Sequence, residues 1–222
     1  MVDEIRFPTN SDKLAVIGRN GSGKTVAAGY NFSLRNFDKM PWTIVNSKGD
    51  ELIEKIGKLP GVHNIKLDER PKKPGIYIIR PIPEVDDEKV EAYFWHCWKR
   101  GRHGIWADEG YMIPKGGALN ALLTQGRSLK IPMIILMQRP VFLSKFVLTE
   151  SNFIQVFDLS HKDDKDTLRK FIPYDVVETL PPYHSLWYDV ARKKLTIFGP
   201  VPTEKEILET IRKKITPTMR LL

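Results

Sequence analysis

Residues 18–25 read GRNGSGKT and follow the apolar run Leu14-Ala15-Val16-Ile17. The pattern is G-x-x-x-x-G-K-[ST], set where a strand turns into a helix, and it constrains both the fold and the ligand. Backbone N–H groups of a glycine-rich turn, together with a helix N-terminus, form a nest for phosphate oxygens. Gly18, Arg19, Asn20, Gly21, Ser22, Gly23, Lys24 and Thr25 are therefore the candidate nucleotide-binding residues. Gly21 and Gly23 let the chain wrap close to the phosphates without a clashing Cβ. Lys24 is placed to reach the β- and γ-phosphates, and the Thr25 hydroxyl to ligate Mg²⁺. A glycine turn with a surface lysine is the alternative. The strand before the motif and the helical stretch 26–34 after it favour the cradle.

Short apolar runs recur at 14–17, 42–45, 75–80, 104–107, 133–137 and 153–159, with helical stretches between them. Continuous apolar runs of this length suit strands covered on both faces, as in a parallel sheet. Val90, Tyr93, Phe94, Cys97 and Trp98 follow helical spacing, and Gly101 is a natural stop. Residues 118–125 predict a helix before the fifth strand. Thr203 and Glu206 form a capping-box pattern ahead of the stripe Ile207, Leu208, Ile211 and Ile215. Runs at 185–190 and 195–201 predict a β-hairpin on the sheet edge. The alternation predicts a doubly wound α/β fold with a mostly parallel sheet. No domain boundary is visible, so residues 1–222 read as one domain.

Composition narrows the classes further. The chain has 222 residues, enough to bury a sizeable core, and its 41% hydrophobic and 28% charged residues are ordinary for a globular protein. No apolar run is long enough for a membrane span, and the N-terminus carries no secretory signal pattern. The single Cys97 excludes an internal disulfide framework and a cysteine-rich zinc cluster, and its place on an apolar helix face makes it a small core residue. A formal charge of +8 favours polyanionic partners, nucleic acid included.

A cradle binds nucleotide, but hydrolysis needs more. The run GIWADE (104–109) ends an apolar strand in two carboxylates. Asp108 is the candidate Mg²⁺ residue, on the crevice side where α/β folds bind ligands. Glu109 is the candidate general base for the attacking water. Gln138 ends the next strand, where an amide can donate to the γ-phosphate and accept from that water. An arginine from a neighbouring subunit would neutralise charge on the transferring phosphoryl group. Arg127 and Arg139 are the candidates, Arg127 preferred, with Arg100 and Arg102 behind them. The loop 111–117, with Lys115, reads equally as a DNA-tracking pore loop or as a plain surface loop.

Four stretches together resemble the FtsK–HerA superfamily of DNA-pumping ATPases: GRNGSGKT (18–25), VNSKGDE (45–51), IWADE (105–109) and TQGRSLKIPMIILMQRP (124–140). The tail, with DTLRKFI (166–172) and PPYHSLWYDVARKKLTIFGP (181–200), is similar to the small genome-packaging ATPases of tailless, membrane-containing icosahedral viruses. The resemblance implies an ASCE/RecA-like P-loop NTPase that binds ATP and Mg²⁺. It implies a homo-oligomeric ring, a hexamer, threading double-stranded DNA into a preformed capsid, docked on capsid vertex proteins. Such a protein would be found at the packaging vertex of the virion or in the host cytoplasm. It maps the phosphate-binding lysine onto Lys24, the Mg²⁺ residues onto Thr25 and Asp108, the base onto Glu109, the sensor onto Gln138 and a trans finger onto Arg127. Many relatives have Asp where this chain has Asn46, which leaves the role of Asn46-Ser47-Lys48 open. The competing readings are a mobile-element DNA pump and a nucleotide-gated phage assembly or secretion protein.

Overall fold

The computed structural model describes residues 5–114, 116–142, 145–172, 180–216 and 219. In chain order the elements are β1 (Lys13–Ile17), α1 (Lys24–Ser33), β2 (Pro41–Val45), α2 (Glu51–Gly57), β3 (Val62–Asn64), β4 (Gly75–Ile79) and α3 (Asp87–Arg100). They continue with β5 (Gly104–Ala107), α4 (Gly117–Gln125), β6 (Met133–Met137), α5 (Lys145–Thr149), β7 (Phe153–Val156) and α6 (Lys162–Leu168). The chain closes with β8 (Ser185–Asp189), β9 (Lys194–Phe198) and α7 (Glu204–Lys214).

The nine strands among the described residues lie in one sheet, in the order β3-β4-β2-β5-β6-β1-β7-β8-β9. Pairing is parallel from β3 to β7, and β8 and β9 join antiparallel as the expected hairpin. The continuous apolar runs are explained by burial on both faces. Leu14 and Val16 enter one core with Phe32, Trp42, Trp106 and Leu136, under α1, α2 and α7. Ala15 and Ile17 enter the other with Phe94, Ile105, Leu122 and Ile135, under α3 and α4. Alternate residues of a strand point to opposite faces, so one run feeds two cores.

The capping box expected at Thr203 and Glu206 is present. The Thr203 backbone N–H donates to Glu206 at 2.8 Å, and the Glu206 N–H donates back to the Thr203 hydroxyl at 3.4 Å. Cys97 is fully buried. The run at 153–159 is strand only as far as Val156. Phe157 and Asp158 leave the pairing with β8 but stay beside the chain leaving β1: the Phe157 N–H donates to the Ile17 carbonyl at 2.7 Å, and the Asp158 carbonyl accepts from the Arg19 N–H at 3.3 Å. The short β3, α2, α5 and α6 are additions that the apolar pattern did not announce.

Candidate active site

The 18–25 loop leaves β1 at the carboxyl edge of the sheet and is held there from both sides. Gly18 N–H donates to the Met137 carbonyl on β6 at 3.1 Å, and Arg19 N–H to the Asp158 carbonyl beyond β7 at 3.3 Å. Arg19 Nε also pairs with Asp158 Oδ2 at 3.1 Å. Gly21 and Gly23 hold φ of 72° and 93°, the left-handed region where a side chain would be strained.

The helix starts differ in a telling way. Asp50 caps α2 through its side chain, and α2 carries acids in its first turn. Thr203 and Glu206 cap α7. The N-terminus of α1 has neither a side-chain cap nor an acid in its first turn; α4 lacks both as well, but there Glu91 Oε1 accepts from the Ala118 N–H at 2.8 Å. Helix starts leave N–H groups without intrahelical partners and carry partial positive charge. At α1 these groups are left for an external anion. Lys24 and Thr25 occupy this first turn, and Lys24 is buried. Burial pulls its ammonium below the usual lysine range, against the attraction of Glu109. The Ser22 hydroxyl is buried without a hydrogen-bond partner.

The sheet order brings the second half of the site to the loop. β6 lies between β1 and β5, so Gln138 stands between the 18–25 loop and the acids that end β5. Asp108 N–H donates to the Val45 carbonyl at 3.2 Å, which fixes it at the edge of β2 as well. Glu109 then turns into a 3₁₀ turn at Gly110–Met112. Gln138 Nε2 donates to Glu109 Oε1 at 2.5 Å. Both carboxylates are buried. Burial, helped by Asp50 and Glu109, pushes the Asp108 carboxyl up to about 7, while Lys48 and Lys24 oppose the rise. Glu109 Oε2 is buried with no hydrogen-bond partner.

This donor set fits a magnesium nucleotide. Mg²⁺ is held by one or two protein oxygens plus phosphates and waters, and Thr25 with Asp108 supplies such a pair. The orphaned Ser22 hydroxyl and Glu109 carboxylate oxygen are groups that a phosphate and a polarised water would satisfy. Among the described residues there is no larger cluster of His, Cys, Asp and Glu that would hold a different metal.

The sequence leaves the role of Lys48 open, and the structure gives the residue its partners. It reaches Asn20 Oδ1 at 3.3 Å and Glu109 Oε1 at 3.4 Å, tying the phosphate loop to the candidate base. Asn46 builds the turn that carries it. Asn46 Oδ1 accepts from the N–H groups of Gly49 and Asp50, both at 3.0 Å, and Nδ2 donates to Glu54 Oε1 at 2.8 Å. Asn46 is thus a turn former beside the pocket, and Lys48 is the residue that enters it. The sequence signal was a lysine in the turn after an apolar strand, but only strand order brings that turn to Glu109.

The arginines separate clearly. Arg139 is committed within its own chain: its Nε pairs with the buried Asp164 at 2.6 Å. Arg100 donates to the Pro71 and Lys72 carbonyls. Arg102 holds a left-handed φ of 47° just before β5, at the amino end of the strand. Arg127 lines a cleft with Lys13, Glu150 and Asn152. These residues begin or precede β1 and β7, so Arg127 stands at the amino edge of the sheet, opposite Lys24. Lys115 lies outside the described residues, and no helix among the described residues is long and apolar enough to cross a membrane.

The chain is 44% identical over 215 residues to DNA packaging ATPase P9 of Enterobacteria phage PRD1, covering 92% of this chain and 93% of that protein. Among solved structures it resembles the genome packaging NTPase B204 of Sulfolobus turreted icosahedral virus 2. The sulfate complex superposes with a TM-score of 0.71 at 22% identity, over 88% of this chain and 99% of that one. B204 has also been solved with AMPPCP. EssC of Geobacillus thermodenitrificans matches with a TM-score of 0.63 at 14% identity, over 92% of this chain and 43% of that chain. No protein-family model matches.

Proposed function

The chain belongs to the viral DNA-packaging ATPase family of phage PRD1 P9, and on that premise we propose that it hydrolyses ATP to drive double-stranded DNA into a preformed capsid. The observation that carries the reading is the Gln138–Glu109–Lys48 cluster facing Lys24 across the phosphate loop. It supplies what phosphoryl transfer to water requires: a cationic cradle, a buried base and a polar side chain to orient the nucleophile.

Each residue has a separable task. The 18–25 backbone and Lys24 bind and orient the triphosphate. Thr25 and Asp108 would hold Mg²⁺, which would supply charge neutralisation to the phosphates. Glu109 accepts a proton from water, and its Oε2 has no side-chain partner competing for that proton. Gln138 fixes the carboxylate's orientation through the other oxygen. Lys48 links base and loop, so both respond to the same occupant. Arg127, at the far edge of the sheet, serves the site of an adjacent subunit in a homo-oligomeric ring, a hexamer. The whole described chain acts as one P-loop domain, located at the packaging vertex of the virion or in the host cytoplasm, where capsid vertex proteins dock it.

The +8 charge supports phosphate-backbone contacts with DNA, which are sequence-blind. The deciding experiment is ATPase activity with and without double-stranded DNA, with oligomeric mass measured alongside. The motor reading requires DNA to stimulate turnover in an oligomer. Turnover indifferent to DNA in a stable ring would instead favour a nucleotide-gated assembly protein.

A further inference from the structure

Tyr183 is an aromatic residue placed where core packing gives it no reason to be. It is 62% exposed, yet it holds a left-handed φ of 60°, a conformation that bulky side chains rarely adopt. The turn that carries it is fixed. Pro181 and Pro182 precede it, His184 N–H donates to the Pro181 carbonyl at 3.0 Å, and His184 Nδ1 lies 3.0 Å from the Pro182 carbonyl. What this strained turn achieves is contact with the phosphate loop. A Cβ built on Gly23 would lie 3.2 Å from Tyr183 Cδ1 and 3.9 Å from the ring of Phe157.

The direction of the site gives that contact a meaning. The groups that other strands bring to the γ-phosphate position come from one flank of β1: Gln138 from β6, Asp108 and Glu109 from β5, Lys48 from beyond β2. Tyr183 stands on the other flank, just before β8, which pairs with β7. A triphosphate with its γ end toward Glu109 carries its nucleoside toward β7 and β8. We propose that Tyr183 is the stacking platform for the nucleotide base. The proposal rests on the nucleotide reading of the 18–25 loop and adds a base subsite to it. An exposed ring beside the loop offers an open π-face, and stacking on it is worth about tenfold or more in affinity.

The test is calorimetric titration of the full chain with Mg·ATP and, separately, with Mg·tripolyphosphate, which lacks a base. Tyr183→Asn removes the ring and suits the left-handed backbone, so the loop keeps its shape. It should bind ATP about tenfold more weakly while holding tripolyphosphate as the wild type does. Tyr183→Phe should retain ATP affinity. Equal loss of both ligands in Tyr183→Asn, or an unchanged ATP affinity, overturns the platform. Lys24→Ala separates the two layers of the argument: it should weaken both ligands. A wild-type chain that binds neither ligand overturns the nucleotide site and the platform with it.

Discussion

Gln138, just past the end of β6, donates its side-chain amide to Glu109 at 2.5 Å, and it takes the same oxygen that Lys48 approaches at 3.4 Å. Oε1 is thereby occupied twice, and Oε2 is left buried without a partner. One oxygen positions the carboxylate, and the other keeps lone pairs that no side chain takes. Glu109→Gln keeps the shape and removes the basicity. It should bind ATP as tightly as wild type and hydrolyse it about 10²–10⁴-fold more slowly. Steady-state phosphate release together with ATP titration checks both halves. Turnover within a few-fold of wild type would remove Glu109 from the mechanism.

Asn46 bonds as no aspartate can. Its amide donates to Glu54, which also takes a two-pronged grip from Arg80. Asn46→Asp would keep the carbonyl-like oxygen that accepts from Gly49 and Asp50, but would set two carboxylates face to face. Losing this part-buried hydrogen bond costs about 1 kcal/mol, and the Arg80 guanidinium offsets part of the repulsion. The expectation is about 1 kcal/mol lower stability by urea unfolding, with reduced turnover because Lys48 rides on the same turn. Wild-type stability and turnover in this variant would mean that the Asn46–Glu54 bond carries no weight.

The long, strongly patterned pieces of this chain were legible. The phosphate loop, the acids at 108–109 and the glutamine at 138 each end a run of apolar residues, and a parallel sheet collects strand ends along one edge. Six runs, read residue by residue, gave the strands that build that edge. What escaped had no periodic signal. α2, α5 and α6 are 7, 5 and 7 residues long, too short to display a face, and β3 has only 3 residues. The role of Lys48 stayed open for a different reason. Its role depends on β2 lying beside β5, and strand order is a property of crossovers rather than of any one segment. Arg139 was ambiguous because its partner, Asp164, lies 25 positions away in a short helix.

Behind the sheet, His103 is buried neutral. Its Nε2 lies 2.8 Å from the Thr43 hydroxyl, which also meets the Tyr93 hydroxyl at 2.8 Å. Burial, with Arg100 and His96 nearby, pulls its pKa down to about 3. The unfolded chain therefore takes up a proton near pH 6.5 that the folded chain refuses until about pH 3. Stability is full above the unfolded value and falls as the pH drops through it, by about 1.4 kcal/mol per pH unit. Urea unfolding at about pH 7 and about pH 5 should show wild type losing about 2 kcal/mol more than His103→Gln across that interval. Parallel losses in the two proteins would mean that His103 is charged or solvated in the fold.

Arg127 and Lys24 lie at opposite edges of the same sheet. β6 runs between the Arg127 edge and Gln138, and its 5 residues span about 16 Å. An arginine side chain cannot cover that span to its own chain's phosphate loop. If Arg127 serves catalysis, it serves a neighbour. Arg127→Ala should fold and bind ATP but turn over slowly, and Lys24→Ala should fail at binding. Mixing the two gives a test that neither gives alone. In a mixed ring some interfaces pair an intact cradle with an intact arginine, so activity should partly return. If the arginine acted within its own chain, every site would stay broken, since each subunit carries one lesion. No recovery on mixing, with mixed rings confirmed by native mass, would sink the trans assignment. Arg139 is not its ready replacement, because freeing it would leave the Asp164 carboxylate buried without its cation.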